Sequence, residues 1–382
     1  MTVLQSCAAV HLHRLSIRDF RNIAQAEVEA PRAGFVLVGD NGQGKTNLLE
    51  AIYYLHLFRS LRGARDAELA RFGAAGFHVA AHVDGAAHDV VRAGFERASG
   101  RKRIVLDGVE CARLSDALGA LPCVAFAPSD VGIVAGPPAL RRRFFDVALA
   151  TTSRRYLLAL QQYRHALAQR NAALRSAGAS AVAGVWEAPL AQNGAVLRQE
   201  RTAWVSWARP RLAELGAALG ERHELSLRYR SAVDMADDAP EEEMRHALAQ
   251  ALQRHRARDV ERGATHSGPH RDDLDLRLAG HAVRHFGSAG QQRTAAIALR
   301  LLECVWYRER MAREPVVLLD DPLAELDRDR AGRVLTLLTA RELGQAVLAV
   351  PRPDDIPEAW TALARLRVRE GVVTPWATPR AA

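Results

Sequence analysis

The stretch FVLVGDNGQGKTNLLEAIYYL, residues 35–55, changes its chemistry twice. Phe35 to Val38 is a short apolar run of the kind that forms a buried strand, and from Asn47 onward Leu48, Leu49, Ile52 and Tyr53 recur at helical spacing. Between them stands Gly39-x4-Gly44-Lys45-Thr46, with Asp40, Asn41, Gly42 and Gln43 filling the gap. Glycines at such a junction let backbone N–H groups curl around phosphates at a helix N-terminus, whose partial positive charge favours the anion. Lys45 is placed to reach the β- and γ-phosphates, and the Thr46 hydroxyl to ligate magnesium. Strand, glycine loop and helix in this order predict a phosphate-binding P-loop that works with Mg2+, on an α/β fold.

The rest of the composition narrows the class. A chain of 382 residues suits two domains, or one domain interrupted by an insertion. Apolar residues at 48% and charged residues at 25% are ordinary globular values, and no uncharged apolar run approaches the length of a membrane span. The opening MTVLQSCAAV lacks a basic segment followed by an apolar one, so a cytoplasmic location is expected, with no membrane partner. Cys7, Cys111, Cys123 and Cys304 lack the paired spacing of a zinc site or a disulfide framework. The 52 basic residues outnumber the 44 acidic ones, leaving +8, which favours an anionic partner. Arginine carries nearly all of that charge, because Lys45 and Lys102 are the only lysines. An ammonium kept at position 45 marks a place where a compact charge is needed and a planar guanidinium is not equivalent.

A P-loop needs an acidic strand, and PVVLLDDPLAELD (315–327) supplies one. Val316 to Leu319 is too hydrophobic for a sheet edge, and two carboxylates emerge at its C-terminal end. Asp320 is placed to hold the magnesium shell, and Asp321 to orient or deprotonate the attacking water. The long separation of the two motifs implies an insertion. Residues 1–113 and 263–382 are expected to form one ATPase head, and residues 114–262 an inserted helical lobe. Tyr156, Leu157, Leu160, Tyr163 and Leu167 make one amphipathic face of that lobe, and Leu197, Trp204, Trp207 and Leu212 another. SAGASAVAG (176–184) reads as a loop, and SAVDMADDAPEEE (231–243) as an acidic linker into a helix over 244–262.

Before the acidic strand comes SAGQQRT (288–294), followed by a helix expected over 294–307. With the P-loop and the aspartate-ended strand, Ser288, Gly290 and Gln291 complete a three-part set that resembles ABC-type ATPases, whose signature loop is LSGGQ. The Ser288 hydroxyl and Gly290 N–H, at a helix N-terminus, suit the grip of a γ-phosphate. In that class the loop serves the nucleotide of a second subunit, so the resemblance implies an ATP-dependent homodimer. Glu325-Leu326-Asp327 then corresponds to the D-loop, placing Ser288 and Asp327 along the dimer seam.

Within the class the chain resembles the RecF family, and the likeness runs from about residue 13 to 350. It is carried by LSIRDFRN (15–22), FRSLRG (58–63), FAPSDVGIVAGPPALRRRFFD (126–146) and GPHRDDLDL (268–276), together with the ATPase motifs. The resemblance implies ATP-dependent binding of single- and double-stranded DNA at gaps and junctions. It also implies action with RecO and RecR in loading RecA onto strands covered by single-strand-binding protein. AVPRP (349–353) has no histidine where ABC transporters keep a switch histidine, and Ala289 stands where the family usually has a polar residue or Gly. These departures imply slow hydrolysis, with ATP closing the dimer. A transporter ATPase subunit is the alternative, weakened by the helical insertion and GPHRDD. A scaffold with a degenerate nucleotide site is opposed by the intact Lys45, Thr46, Asp320 and Asp321.

Candidate DNA contacts are two basic triplets, Arg101-Lys102-Arg103 and Arg141-Arg142-Arg143, although one of the second set is also suited to brace the lobe. Gly268 and Pro269 break any helix that would align His266 with His270 for a metal. Trp204 and Trp207 are expected to fill the lobe rather than stack on bases.

Overall fold

In the computed structural model, which describes residues 8–176, 179–323, 326–340 and 344–376, the chain forms two compact units. One comprises Met1–Asp130 and Glu303–Ala382, the other Val131–Leu302.

The first unit opens with alternating strands. β1 (His11–Phe20) and β2 (Ile23–Glu29) form a hairpin. The fully buried β3 (Gly34–Val38) leads into α1 (Lys45–Leu57), and β4 (Gly76–Asp84), β5 (Val90–Glu96) and β6 (Arg101–Leu106) follow. An antiparallel sheet has the order β2-β1-β4-β5-β6, with a two-residue strand, Val109–Glu110, at its edge. Its register aligns Ile17, Val79, Ala93 and Ile104 in one buried row. The period of two then turns the alternate residues, among them Arg18, His78, Arg92 and Arg103, to the outer face. α1 is buried on nearly all sides, as a helix between two sheets must be. Tyr54 packs edge-on against Phe77 at 5.2 Å and Phe20 at 6.1 Å. The buried β7 (Cys123–Phe126) ends this half of the unit.

The second unit is mainly helical. It contains α2 (Pro138–Ala150), α3 (Arg154–Ala173), α4 (Glu187–Ala218), β8 (Leu225–Arg230), α5 (Glu241–Arg254) and β9 (Asp273–Leu278). Tyr156, Leu157, Leu160 and Tyr163 of α3 are buried, as are Leu197, Trp204 and Leu212 of α4. Trp204 lies edge-on to Phe144 and Phe145 at 5.6 and 5.2 Å, and Arg211 covers Trp207 at 4.6 Å, so both indoles are used in packing. The fully buried Arg170 pairs with Asp259 at 2.7 Å and Glu187 at 3.1 Å, keeping each buried charge matched.

Three expectations shift here. Ala179–Gly184 is helical rather than loop, because its alanines favour a helix and Ala183 packs on Ala173 and Leu174; residues 177–178 lie outside the described residues. The helix expected over 244–262 starts at Glu241, uses the acidic residues 241–243 as its first turn, and breaks at His255. The units divide after residues 130 and 302 rather than 113 and 262. The reason is pairing: β9 joins β8 inside the second unit, while β7 belongs to the parallel sheet of the first.

The chain leaves the second unit within α6 (Ala289–Met311) and continues through β10 (Val316–Asp320), α7 (Arg328–Ala340), β11 (Ala346–Val350), β12 (Ala364–Arg369) and β13 (Val372–Pro375). The sheet order is β13-β12-β3-β11-β10-β7, parallel except at β13. β3, β7 and β11 are buried throughout and β10 up to its final aspartate, as strands covered on both faces must be. Each fully buried Val or Leu contributes about 1.5–3 kcal/mol. A parallel sheet of this kind collects its functional loops at the C-terminal ends of its strands.

Candidate nucleotide-binding site

The loops after β3 and β10, separated in the sheet only by β11, line one cavity of about 350 Å³. Lys45, Thr46, Asp320 and Asp321 all face it, with the loop residues Asn41, Gly42 and Gly44 beside them. The Thr46 hydroxyl lies 3.0 Å from both carboxylate oxygens of Asp320, across 274 positions of sequence. Lys45 Nζ donates to the carbonyls of Gly39 at 2.5 Å and Asp40 at 2.9 Å. Burial lowers the Lys45 pKa, and the charges of Asp320, Asp321 and Asp40 oppose that fall. Burial raises the pKa of Asp320, against the Thr46 hydrogen bond and the charges of Lys45 and Arg62. A hydroxyl beside a carboxylate at the rim of a phosphate-sized cradle is a hard-oxygen donor set of the kind magnesium takes.

Sterics explain the glycines. A Cβ on Gly39 would stand 2.2 Å from the carbonyl oxygen of Val368 on β12, and one on Gly44 would stand 2.7 Å from the Asn22 side chain, at a φ of +117°. Asp321 also has a left-handed φ of 45°, and its N–H donates to Ala349 at 3.0 Å. That conformation ends the strand sharply, in a region that non-glycine residues seldom occupy.

Sequence reading missed the supports beneath this loop. Asn22 donates to the Gln43 carbonyl at 3.0 Å and accepts from Asn47 at 2.8 Å, while Gly371 N–H donates to the same carbonyl at 2.8 Å. Glu50, completely buried on α1, accepts from Arg21 at 2.9 Å, Arg62 at 2.5 Å and Ser60 at 2.5 Å. Burial pushes this carboxyl up, but the hydrogen bonds from Arg62, Arg21 and Ser60 outweigh it and bring the pKa to about 2. Arg62 also donates to Asn47 at 2.6 Å and lines the cavity. LSIRDFRN and FRSLRG are therefore braces of the P-loop. The available signal was Glu50 itself, a carboxylate inside an otherwise apolar helical run.

The stretch SAGQQRT (288–294) lies in the second unit. Its helix begins at Ala289 rather than 294, so Gly290 and Gln291 form the first turn. Ser288 and Gln291 cap one another: Ser288 N–H donates to Gln291 Oε1 at 2.8 Å, and Gln291 N–H to Ser288 Oγ at 3.3 Å. This reciprocal pair is a capping box, which starts the helix earlier than apolar periodicity indicates. Asp327 is exposed and accepts from Arg330 N–H at 2.8 Å at the start of α7. Glu325 lies outside the described residues.

Comparison with known proteins agrees with this architecture. A family model described as the RecF/RecN/SMC N terminal domain matches residues 11–372. The DNA replication and repair protein RecF of Anaeromyxobacter dehalogenans (strain 2CP-C) is 40% identical over 366 residues, covering 94% of this chain and 98% of that protein. The chain belongs to the RecF family. RecF of Geobacter sulfurreducens is 35% identical over 96% of this chain and all of its own length. A solved structure of the recombination mediator protein RecF with ATP in the RecFOR pathway superposes with a TM-score of 0.88 at 26% identity, over 98% of this chain and 100% of that one. The fold is that of an ABC-type ATPase head.

The basic triplets of this RecF-family ATPase separate on inspection. Arg141 is buried and forms a two-point bond with Asp273, at 2.7 and 3.1 Å, so it braces the second unit and is not a DNA contact. Arg142 donates to the Asp272 carbonyl at 2.9 Å, while Arg143 is exposed. Asp272 in turn accepts from Tyr229 at 2.5 Å and from Ala232 N–H at 2.7 Å, and His270 meets Tyr163 at 2.6 Å. GPHRDD and RRRFFD thus hold one another. In the first triplet strand alternation splits the residues: Lys102 points inward to Asp66 at 2.8 Å and the Phe58 carbonyl at 2.5 Å, whereas Arg101 and Arg103 stay outside and share Glu110.

Proposed function

We propose that this protein is an ATP-gated DNA clamp of DNA replication and repair, dimerising on ATP and hydrolysing it slowly. The observation that carries the reading is that Lys45, Thr46, Asp320 and Asp321 line one cavity on a fold shared with ATP-bound RecF. The backbone of residues 39–46 cradles the phosphates and Lys45 neutralises the β- and γ-phosphates. Thr46 and Asp320 hold Mg2+, which when bound offsets phosphate charge. Asp321 orients or deprotonates the attacking water. Ser288, Gly290 and Gln291 of one subunit close on the γ-phosphate of the other, with Asp327 at the seam. The closed dimer binds gapped and junction DNA, and with RecO and RecR it helps place RecA on single strands. Among the described residues no helix is long and apolar enough to cross a membrane.

Light scattering tests this directly. A monomer without nucleotide is expected to become a dimer with ATP and to be retained on gapped DNA. Ser288→Asp keeps a capping oxygen but sets a negative charge against the γ-phosphate, so it should bind ATP without dimerising. A size that ignores ATP would overturn the clamp. Dimerisation of Ser288→Asp like wild type would overturn the role given to the signature loop.

A further inference from the structure

The outer face of the antiparallel sheet carries a basic row in strict register. Arg18 on β1 pairs across to His78 on β4, His78 to Gly94 on β5, and Gly94 to Arg103 on β6. In the neighbouring row Ser16 pairs with Ala80, and Ala80 with Arg92. Paired positions project to the same face, and Arg18, His78, Arg92 and Arg103 are all exposed.

Most other charges on this face are satisfied. Arg14 pairs with Glu27 at 3.0 Å and Glu29 at 3.5 Å, Ser16 donates to Glu27 at 2.6 Å, and Ser99 to Glu96 at 2.6 Å. Glu110 is taken by Arg101 at 3.0 Å and Arg103 at 2.8 Å. The guanidiniums of Arg18 and Arg92 form no hydrogen bond or ion pair with any described residue. Burial lowers the pKa of His78, and the nearby charges of Arg92 and Arg18 lower it further. Two guanidiniums without a side-chain partner, on the strands either side of an imidazole, make a place for an anion. Gly94 and Ala80 between them leave the centre of the row low.

We propose that Arg18, His78, Arg92 and Arg103 form a docking face for the sugar-phosphate backbone of duplex DNA. This rests on the DNA-binding reading above and gives it a surface. From Arg18 to Arg103 is three strand spacings, about 14 Å, comparable with the roughly 12 Å width of the B-form major groove. Arginines at the two ends of the row therefore reach phosphates on opposite strands, with Arg92 and His78 between. Such contacts fix orientation without reading sequence. The guanidinium fork suits phosphate oxygens, which compete with Glu110 for Arg103.

The test is salt-dependent binding of a fluorescent duplex to the full chain with ATP, comparing wild type with the double variant Arg18→Ala/Arg92→Ala. Each lost phosphate contact lowers the slope of log affinity against log salt by about 0.9, so the double variant should lose nearly 2 and bind more weakly at every salt concentration. Arg18→Lys/Arg92→Lys retains the charges and should keep the slope. Arg14→Ala, whose charge is already paired, should leave it unchanged. ATP affinity should be wild type throughout, which separates loss of the site from loss of the fold. Wild-type binding that survives in the alanine double variant with an unchanged slope overturns this site alone. Wild type that shows no salt-dependent DNA binding overturns the proposed function and the site with it.

Discussion

Removing one buried charge tests the braces of the P-loop. Glu50 lies on α1 with Arg21, Arg62 and Ser60 all directed at its carboxylate. Its pKa falls from the ordinary 4.5 to about 2, and each step of one in pKa corresponds to about 1.36 kcal/mol. Ionisation of Glu50 therefore favours the fold by about 3 kcal/mol at neutral pH, the order expected when a buried ion pair loses one partner. Glu50→Gln keeps the shape and removes the charge, leaving Arg21 and Arg62 facing a neutral amide. At pH 7 it should lower the stability of the first unit by about that amount, followed by denaturant melts monitored with circular dichroism. The folded pKa is depressed, so the contribution is complete above 4.5 and is lost as pH falls towards about 2. The gap between wild type and variant should accordingly close on acidification. Because Arg62 also lines the cavity, nucleotide affinity should fall at pH 7. A variant within about 0.5 kcal/mol of wild type at pH 7, the range of an ordinary surface substitution, or a gap that does not change with pH, would refute the reasoning.

Three further outcomes are expected. Lys45→Met should abolish ATP-stimulated retention on DNA, measured together with nucleotide affinity, because a thioether cannot supply the compact charge of the ammonium at that position. Asp321→Asn should stop hydrolysis in a phosphate-release assay while retaining ATP, since Thr46 and Asp320 are untouched, and the ATP-bound dimer should live longer. Gly39→Ala drives a Cβ to 2.2 Å from the Val368 carbonyl and should cost about 1–3 kcal/mol or more in a thermal melt, together with lost nucleotide binding.

Much of the candidate site was legible because its chemistry is local. The P-loop announces itself by residue type at fixed spacing, and β10 by four apolar residues followed by two aspartates, so the α/β class and the pairing of residues 39–46 with 320–321 follow from short windows of sequence. The supports were not legible in that way. Asn22, Glu50 and Arg62 meet only after the β1–β2 turn, α1 and the following loop have packed, and a polar residue in an apolar run does not name its partner. The basic triplets show the same limit. Arg141 and Arg143 look alike in RRR, yet helix geometry buries the first against Asp273 and exposes the last. The start of α6 was missed for a local reason, because apolar periodicity locates a helix body while the Ser288 and Gln291 cap decides where it begins.

Sequence alone determined the fold class, the nucleotide motif and the family likeness, since each depends on residue type and short spacing. Tertiary structure alone decided which charges are compensated. Arg14, Arg18, Arg92 and Arg103 are equivalent as letters, but strand register sets Arg14 beside Glu27 and leaves Arg18 and Arg92 beside His78. The free energy of a charge is fixed by its neighbours in space, and cross-strand pairing brings those neighbours from distant parts of the chain.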